Sequence, residues 1–308
     1  MKIVIPGGSG QVGRLLAQAW GDAHQVHVLS RSAQGLHHWD GASLGPWAEL
    51  LEDADVVINL AGRTVDCRYN DRNLRQMMDS RVRSTRVVGE AIAACARPPR
   101  LWLQMSTATI YAHSLDRPND ERSGRIGGWE PDAPVYWKHS IDIALAWERE
   151  LELAQVPDRV RKVALRTAMV MTPEAGGVFS VLRRMARLGL GGPIAGGQQK
   201  VSWIHGRDFV RALEFLIANP DIEGPVNLCA PGPLPQRELM AQLRDALGVP
   251  LGLPATAWMA ELGALALQTD TELLLKSRYV LPGRLQEAGF AFAHPQWGEA
   301  VRDLLAQP

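Results

Sequence analysis

Residues 2–13 read Lys2-Ile-Val-Ile-Pro6-Gly7-Gly-Ser-Gly10-Gln-Val-Gly13, and the rest of the chain is read outward from them. Lys2–Pro6 is an unbroken run of largely apolar, β-branched residues, the pattern of a strand covered on both faces. Glycines 7, 10 and 13 follow at once, and a helical pattern, Gln11–Trp20, begins among them. Glycine lets a chain turn sharply and brings backbone N–H groups close to a pyrophosphate. The N-terminus of the following helix then stabilises the negative charge. The spacing is G-x-x-G-x-x-G rather than G-x-G-x-x-G, so the position between strand and helix carries the reading. It predicts a dinucleotide-binding loop contacting its ligand through Gly7, Ser9, Gly10, Gln11, Val12 and Gly13.

Further along, Gln25–Leu29, Asp55–Leu60, Arg100–Ser106 and Arg161–Val170 are also continuous apolar runs. Helical stretches at Leu74–Ala96, Ser140–Ala154 and Val178–Leu188 separate or follow them. Strands alternating with helices predict an α/β fold, a Rossmann-type doubly wound parallel sheet. The pattern changes after about residue 170. A glycine-rich connection (Gly189–Gly197) leads to a strand-like Lys200-Val-Ser-Trp-Ile204 and a helix from Arg207. Pro231–Pro235 then precedes a helix at Arg237–Leu247, and the tail from Pro250 is mostly helical. The expected division is a nucleotide-binding core over residues 1–235, with substrate-side elements interleaved from about 170. A smaller, mostly helical C-terminal region covers 250–306.

Composition narrows the function classes. With 308 residues the chain can bury a full core. Thirty-three basic and 33 acidic side chains leave no net positive field for nucleic acid or anionic lipid. Three separated cysteines (Cys67, Cys95, Cys229) suit neither a disulfide framework nor a zinc knuckle. Pro6 breaks the first apolar run too early for a signal peptide. The longest later run, Ala257–Leu267, is interrupted by Glu261 and too short for a bilayer. These features predict a cytoplasmic protein with a small-molecule substrate, neither nucleic acid nor membrane as partner, and oligomerisation left open. No metal site is expected, because the paired His37-His38 lacks a convergent third ligand in sequence.

Three segments extend the ligand cleft. The second strand ends in Ser30-Arg31, with Arg31 eighteen residues beyond Gly13. An acidic residue there would hold the ribose hydroxyls of NAD. Ser30 and Arg31 instead suit a 2′-phosphate, so NADP(H) is the expected cofactor. Asp40, at the end of a short third strand, is a candidate for the adenine amine or a surface carboxylate. Leu60, Ala61 and Gly62 follow Asn59 after the fourth strand, where small residues permit close approach to the adenosine and ribose.

Together with the glycine pattern, Asn59-Leu-Ala-Gly62, Ser106-Thr-Ala-Thr-Ile-Tyr111 and Trp203-Ile-His-Gly-Arg-Asp208 resemble the extended and atypical short-chain dehydrogenase/reductases. Asp79-Ser-Arg-Val82, Trp147-Glu148, and Lys276-Ser-Arg with Pro282-Gly-Arg-Leu285 and Gly289-Phe290 narrow this to the atypical epimerase family. The tail is similar to the small C-terminal domain of unknown function that accompanies that family. The resemblance implies a Rossmann fold with bound NADP(H), and it supplies no substrate.

It also implies a catalytic set: a Ser/Thr polarising the carbonyl, a Tyr passing the proton, and a Lys four residues later. The Lys lowers the tyrosine pKa and holds the nicotinamide ribose. Thr107 is the expected hydroxyl partner, Ser106 beside it is a candidate cofactor contact, and Tyr136 is the candidate acid. The set is incomplete, because Ser140 stands four residues beyond Tyr136 and no tyrosine has lysine at that spacing. Lys138 could serve if the helix starts after it. Among other polar residues, His205 is a candidate for the substrate side, and Asp208 for a first-turn carboxylate favoured by the helix dipole. Arg166 reads as a structural ion-pair partner. Arg81 is open between an anion contact and a salt bridge, and Trp137 and Trp203 are candidates for stacking on a substrate ring. The resulting expectation is an NADP(H)-dependent reductase or epimerase acting on a small carbonyl or hydroxyl substrate. The alternative is a non-catalytic NADP(H)-binding sensor or regulator.

Overall fold

A computed structural model describes residues 1–32, 37–131, 133–266 and 269–307. Leu267, the last residue of the apolar run from Ala257, lies outside them. The first half contains β1 (Lys2–Pro6), α1 (Gln11–Trp20), β2 (Gln25–Ser30), β3 (His37–His38), β4 (Val56–Asn59), α2 (Asp71–Ala94), β5 (Leu101–Thr107) and α3 (Lys138–Leu153). Then come β6 (Arg161–Thr167), β7 (Met169–Met171), α4 (Val178–Arg187), β8 (Lys200–Val201), β9 (Trp203–His205), α5 (Gly206–Ala218), β10 (Gly224–Leu228) and β11 (Leu234–Pro235). The last elements are α6 (Gln236–Leu247), α7 (Ala257–Ala266), α8 (Glu272–Leu275), α9 (Gly283–Glu287) and α10 (Trp297–Ala306).

Seven parallel strands form one sheet in the order β10-β6-β5-β4-β1-β2-β3. Side chains alternate along each strand, which explains the unbroken apolar runs. Ile3 and Ile5 of β1 pack with Leu16 and Trp20 of α1 and with Phe209 and Leu213 of α5. Val4, between them, faces the opposite layer with Val87, Val88 and Ile92 of α2 and Leu151 of α3. Each fully buried Ile or Val contributes about 1.5–3 kcal/mol. The sheet is thus covered on both faces, the Rossmann-type arrangement the alternation predicts.

Several boundaries shift for identifiable reasons. Asn70 accepts the Asn73 N–H at 2.9 Å, so α2 begins at Asp71 rather than Leu74. The expected strand Arg161–Val170 divides at Ala168, where the chain leaves the main sheet and β7 pairs with β9 instead. Residues 200–204 split likewise between β8, which pairs with β11, and β9. The seventh strand, β10, was not among the expected strands. Its Pro225 and glycine start dilute the apolar signal.

The tail packs against the core. Val301 and Leu304 of α10 share one buried cluster with Phe179 of α4, Trp203 of β9 and Leu243 of α6. Residues 276–281 run between two loops of the core. Ser277 Oγ donates to the Ser114 carbonyl, Arg278 N–H to the Lys200 carbonyl at 2.8 Å, and Leu281 N–H to the Asn119 carbonyl at 2.9 Å. Among the described residues no helix is long and apolar enough to cross a membrane.

Candidate active site

At the end of β1, Gly7 takes φ +76°, and a Cβ there would stand 2.6 Å from Ala61 Cα. The β1 and β4 turns therefore touch through a glycine. A Cβ on Gly13 would lie 2.1 Å from the Gly8 carbonyl oxygen, so α1 presses directly on the loop. Gly10 differs, since the nearest atom to its Cβ position is 4.0 Å away. It is the N-cap of α1 with no side-chain cap, and the first turn holds no acidic residue. Ser9 and Gly10 are exposed, Gln11 and Val12 half-buried. The cradle is roomy where a ligand would enter and tight where the helix packs, and its unfilled N–H groups favour an anion. Gln11 donates through Nε2 to Thr172 Oγ1, which ties the loop to the chain after β7.

The neighbouring turns complete the cleft. Asn59 is fully buried, with Oδ1 accepting the Ala61 N–H at 3.1 Å and Nδ2 donating to Gln104 Oε1 at 3.0 Å. This clamps Leu60, Ala61 and Gly62 over the end of the sheet. Ser30 is buried and its Oγ accepts the Ser32 N–H, while Arg31 is exposed. Asp40 is exposed as well. Its carboxylate accepts the Ala42 and Ser43 N–H groups and the Ser43 hydroxyl, and that hydroxyl chiefly holds its pKa down at about 2. Both Asp40 oxygens are thus engaged in closing their own turn, which favours the surface-carboxylate alternative over an adenine contact.

β5 ends with two hydroxyls that face opposite ways. Ser106 is buried and donates to Glu148 Oε1 at 2.6 Å. Glu148 also accepts Nε and NH2, one edge of Arg166, at 2.9 and 2.8 Å, and Arg166 NH1 donates to Tyr111 OH at 2.9 Å. The Ser106 hydroxyl proton is thus engaged by Glu148, and Arg166 has the structural role expected of it. Thr107 points to the cleft side and accepts the Thr109 N–H at 3.1 Å, which leaves its hydroxyl proton without a protein acceptor among the described residues.

Tyr136 sits in a one-turn 3-10 segment, Val135–Trp137, and α3 begins at Lys138. The Lys138 ammonium nonetheless binds Asp142 at 2.5 Å and lies over the Trp129 ring. It does not stand in for the missing lysine. Tyr136 OH lies 3.4 Å from Thr271 Oγ1 instead. Ser140, at the missing position, donates to Glu272 Oε2 at 2.5 Å. Both partners come from the tail.

Lys276 follows in the same tail segment. Its ammonium is buried, donates to the Thr109 carbonyl at 2.9 Å and lies 3.8 Å from Glu272 Oε1. Burial lowers its pKa to about 8 and pushes that of Glu272 up. Tyr69 also reaches this cluster through a hydrogen bond with Ser140, and burial, reinforced by Glu272, keeps it protonated. Arg278 Nε donates to Thr109 Oγ1 at 2.9 Å. Tyr69, Glu272, Lys276 and Arg278 were not singled out as site residues, because no local pattern joins positions so far apart in sequence.

The remaining aromatic and polar candidates are held in structural contacts. Trp203 is fully buried in T-shaped contact with Trp297, and Trp137 is buried against His113, so neither is free to stack on a substrate. Asp208 is a first-turn residue of α5, but its buried carboxylate also binds the N–H groups of Ala293 and His294, both at 2.8 Å, fastening the tail. The side chains that converge as possible metal ligands are His205, His294 and Asp303, not His37-His38. His205 Nδ1 accepts the Arg207 N–H, so in the neutral ring Nε2 carries the proton; it lies 3.1 Å from Asp303 Oδ2 without the alignment of a hydrogen bond. A cation on Nε2 would have to displace that proton, and the trio reads as a clasp between α5 and α10.

Known proteins fit this geometry. The model of the NAD dependent epimerase/dehydratase family matches residues 3–229, and DUF1731, a domain of unknown function, matches 255–304. Epimerase family protein Mb2239 of Mycobacterium bovis is 32% identical over 99% of this chain and 98% of its own length. Mouse epimerase family protein SDR39U1 is 30% identical over 99% of this chain and its own full length. The crystal structure of human epimerase family protein SDR39U1 with NADPH superposes with a TM-score of 0.83 at 26% identity, covering 99% of each chain. Family match, near full-length relatives and a shared fold around one nicotinamide-cofactor cleft converge: the chain belongs to the NAD dependent epimerase/dehydratase family and carries a DUF1731 region at its C-terminal end.

Proposed function

We propose that the chain binds NADP(H) along the β1, β2 and β4 turns and catalyses hydride transfer to or from a small carbonyl or hydroxyl substrate. The observation that carries this reading is the uncapped, acid-free N-terminus of α1, with open space at Gly10, in a chain whose human relative was crystallised with NADPH. Gly7, Ser9, Gly10, Gln11, Val12 and Gly13 would hold the pyrophosphate. Ser30 and Arg31 would hold the 2′-phosphate, Arg31 through the forked donor geometry of its guanidinium. Leu60, Ala61 and Gly62 would line the ribose.

When bound, the nicotinamide supplies or accepts the hydride. Thr107 then donates its free hydroxyl proton toward the substrate oxygen, while its lone pair stays occupied by the Thr109 N–H. Tyr136, whose hydroxyl is exposed apart from Thr271, passes the proton. Lys276, bound to the Thr109 carbonyl, supplies the positive potential that Ser140 cannot. A non-catalytic sensor would need none of these groups at the end of β5, so it is the weaker account.

The test uses NADPH oxidation and NADP⁺ reduction with a panel of small ketones, aldehydes and secondary alcohols. Thr107→Ala and Tyr136→Phe should each lower kcat by about 100-fold while NADPH affinity is retained. Turnover unchanged in both variants would remove these residues from the mechanism. NADPH binding without reduction of any carbonyl or oxidation of any alcohol would favour the sensor.

A further inference from the structure

Arg81 stands on α2, and its guanidinium carbon lies 4.9 Å from the centre of the Trp147 ring on α3. The same carbon is 3.2 Å from the position a Cβ would take on Gly62, so the group rests against the turn after β4. NH1 donates to the Met77 carbonyl at 3.1 Å, one turn back on its own helix. Nε and NH2 make no protein hydrogen bond among the described residues, yet neither is sealed from solvent. No carboxylate lies within ion-pair distance of Arg81 among the described residues. Burial lowers its pKa to about 10, and the ionisable groups that act on it are Tyr69 and Cys67. Beyond Tyr69 stand Glu272, Asp270 and Arg278, and Glu272 also faces Lys276.

A half-buried guanidinium with an uncompensated charge is costly to hold in place. Here an aromatic face and a glycine fix its orientation, leaving one edge of two donors unfilled. That edge matches the two oxygens of a carboxylate or phosphate. The phosphates of a dinucleotide already have the α1 N-terminus and Arg31. We infer that Arg81 is the receptor for an anionic group of the substrate, so that the carbonyl or hydroxyl compound carries a carboxylate or phosphate. This inference rests on the hydride-transfer reading, because it places the anion in the same cleft.

The test titrates acetate and inorganic phosphate, at constant ionic strength, into wild type, Arg81→Gln and Arg81→Lys, each with and without saturating NADP⁺. Tryptophan fluorescence reads the binding, since Trp147 lies under the guanidinium. Saturable binding of at least one of the two anions should weaken about tenfold or more in Arg81→Gln. It should recover in part in Arg81→Lys, which keeps the charge and loses the fork. NADPH affinity should stay within about threefold across all three proteins. Equal anion binding in wild type and Arg81→Gln, or no anion binding in wild type, would overturn the inference. So would a parallel tenfold loss of NADPH affinity, which would assign Arg81 to a cofactor phosphate. A wild type that binds no NADPH breaks the proposed function instead, while the cofactor-free titrations still report on Arg81.

Discussion

The glycine cradle and the corner beyond β5 both lie at the carboxyl ends of strands in one sheet, yet they are built in opposite ways. The cradle is a local object: Gly7 through Gly13 supply the turn, the close approach and the helix N-terminus within seven positions. The corner is assembled from distant segments. Tyr136 meets Thr271 across 135 positions, Ser140 meets Glu272 across 132, and Lys276 reaches Thr109 across 167. A dinucleotide cradle is thus written in one stretch, whereas the polar groups around the reacting centre depend on how the tail threads through the core. The two regions should respond differently to mutation and to pH.

The largest effect is expected in the corner. Lys276→Met leaves buried Glu272 with Arg278 as its remaining cation, and breaking such a buried pair costs up to about 3–5 kcal/mol. Urea denaturation should show that loss, with NADPH affinity per folded molecule nearly unchanged. A stable variant would mean that Glu272 is protonated at neutral pH and that the pair contributes little.

Next, Gly10→Asp should lower NADPH affinity by at least about 100-fold, roughly 2.7 kcal/mol. The carboxylate would occupy the site of the pyrophosphate. Because nothing lies within contact of a Cβ at Gly10 and aspartate is a good N-cap, Tm should hold or rise slightly. Retained binding would place the phosphates elsewhere.

Acid should loosen the tail before the cradle. His205 has a pKa lowered to about 4, chiefly by burial and then by the neighbouring His294. Between its ordinary value near 6.5 and that value, the unfolded chain binds the proton more readily. Stability is therefore full above about pH 6.5 and is lost progressively as pH falls toward 4. His205→Asn, which keeps the N-cap acceptor at Arg207, should flatten that slope in a pH series of urea midpoints. An unchanged slope would locate the acid sensitivity in other groups.

The same contrast explains what could be read from the sequence. Buried runs such as Ile3-Val-Ile5 announce a parallel sheet because both faces are covered, and the glycine spacing announces the cradle. Thr107 was legible as a hydroxyl at a strand end. Ser106 was legible only by position, since its engagement with Glu148 depends on a helix 42 positions away. Lys276 was legible only as part of a family-like tail motif and Glu272 not at all, because a single lysine in a tail looks like a surface residue until the fold buries it. Asp208 was readable as a first-turn carboxylate, but not as a fastening for Ala293 and His294. Arg81 was open between a salt bridge and an anion contact until its surroundings proved to hold no acid among the described residues.

The most direct test of the central claim is a fluorescence titration of the purified protein with NADPH and with NADH, repeated on Arg31→Ala. The account predicts a preference for NADPH of about tenfold or more, worth about 1.4 kcal/mol, that disappears in the variant. Binding of neither nucleotide by the wild type would contradict it, and equal affinity for both would take the 2′-phosphate away from Arg31.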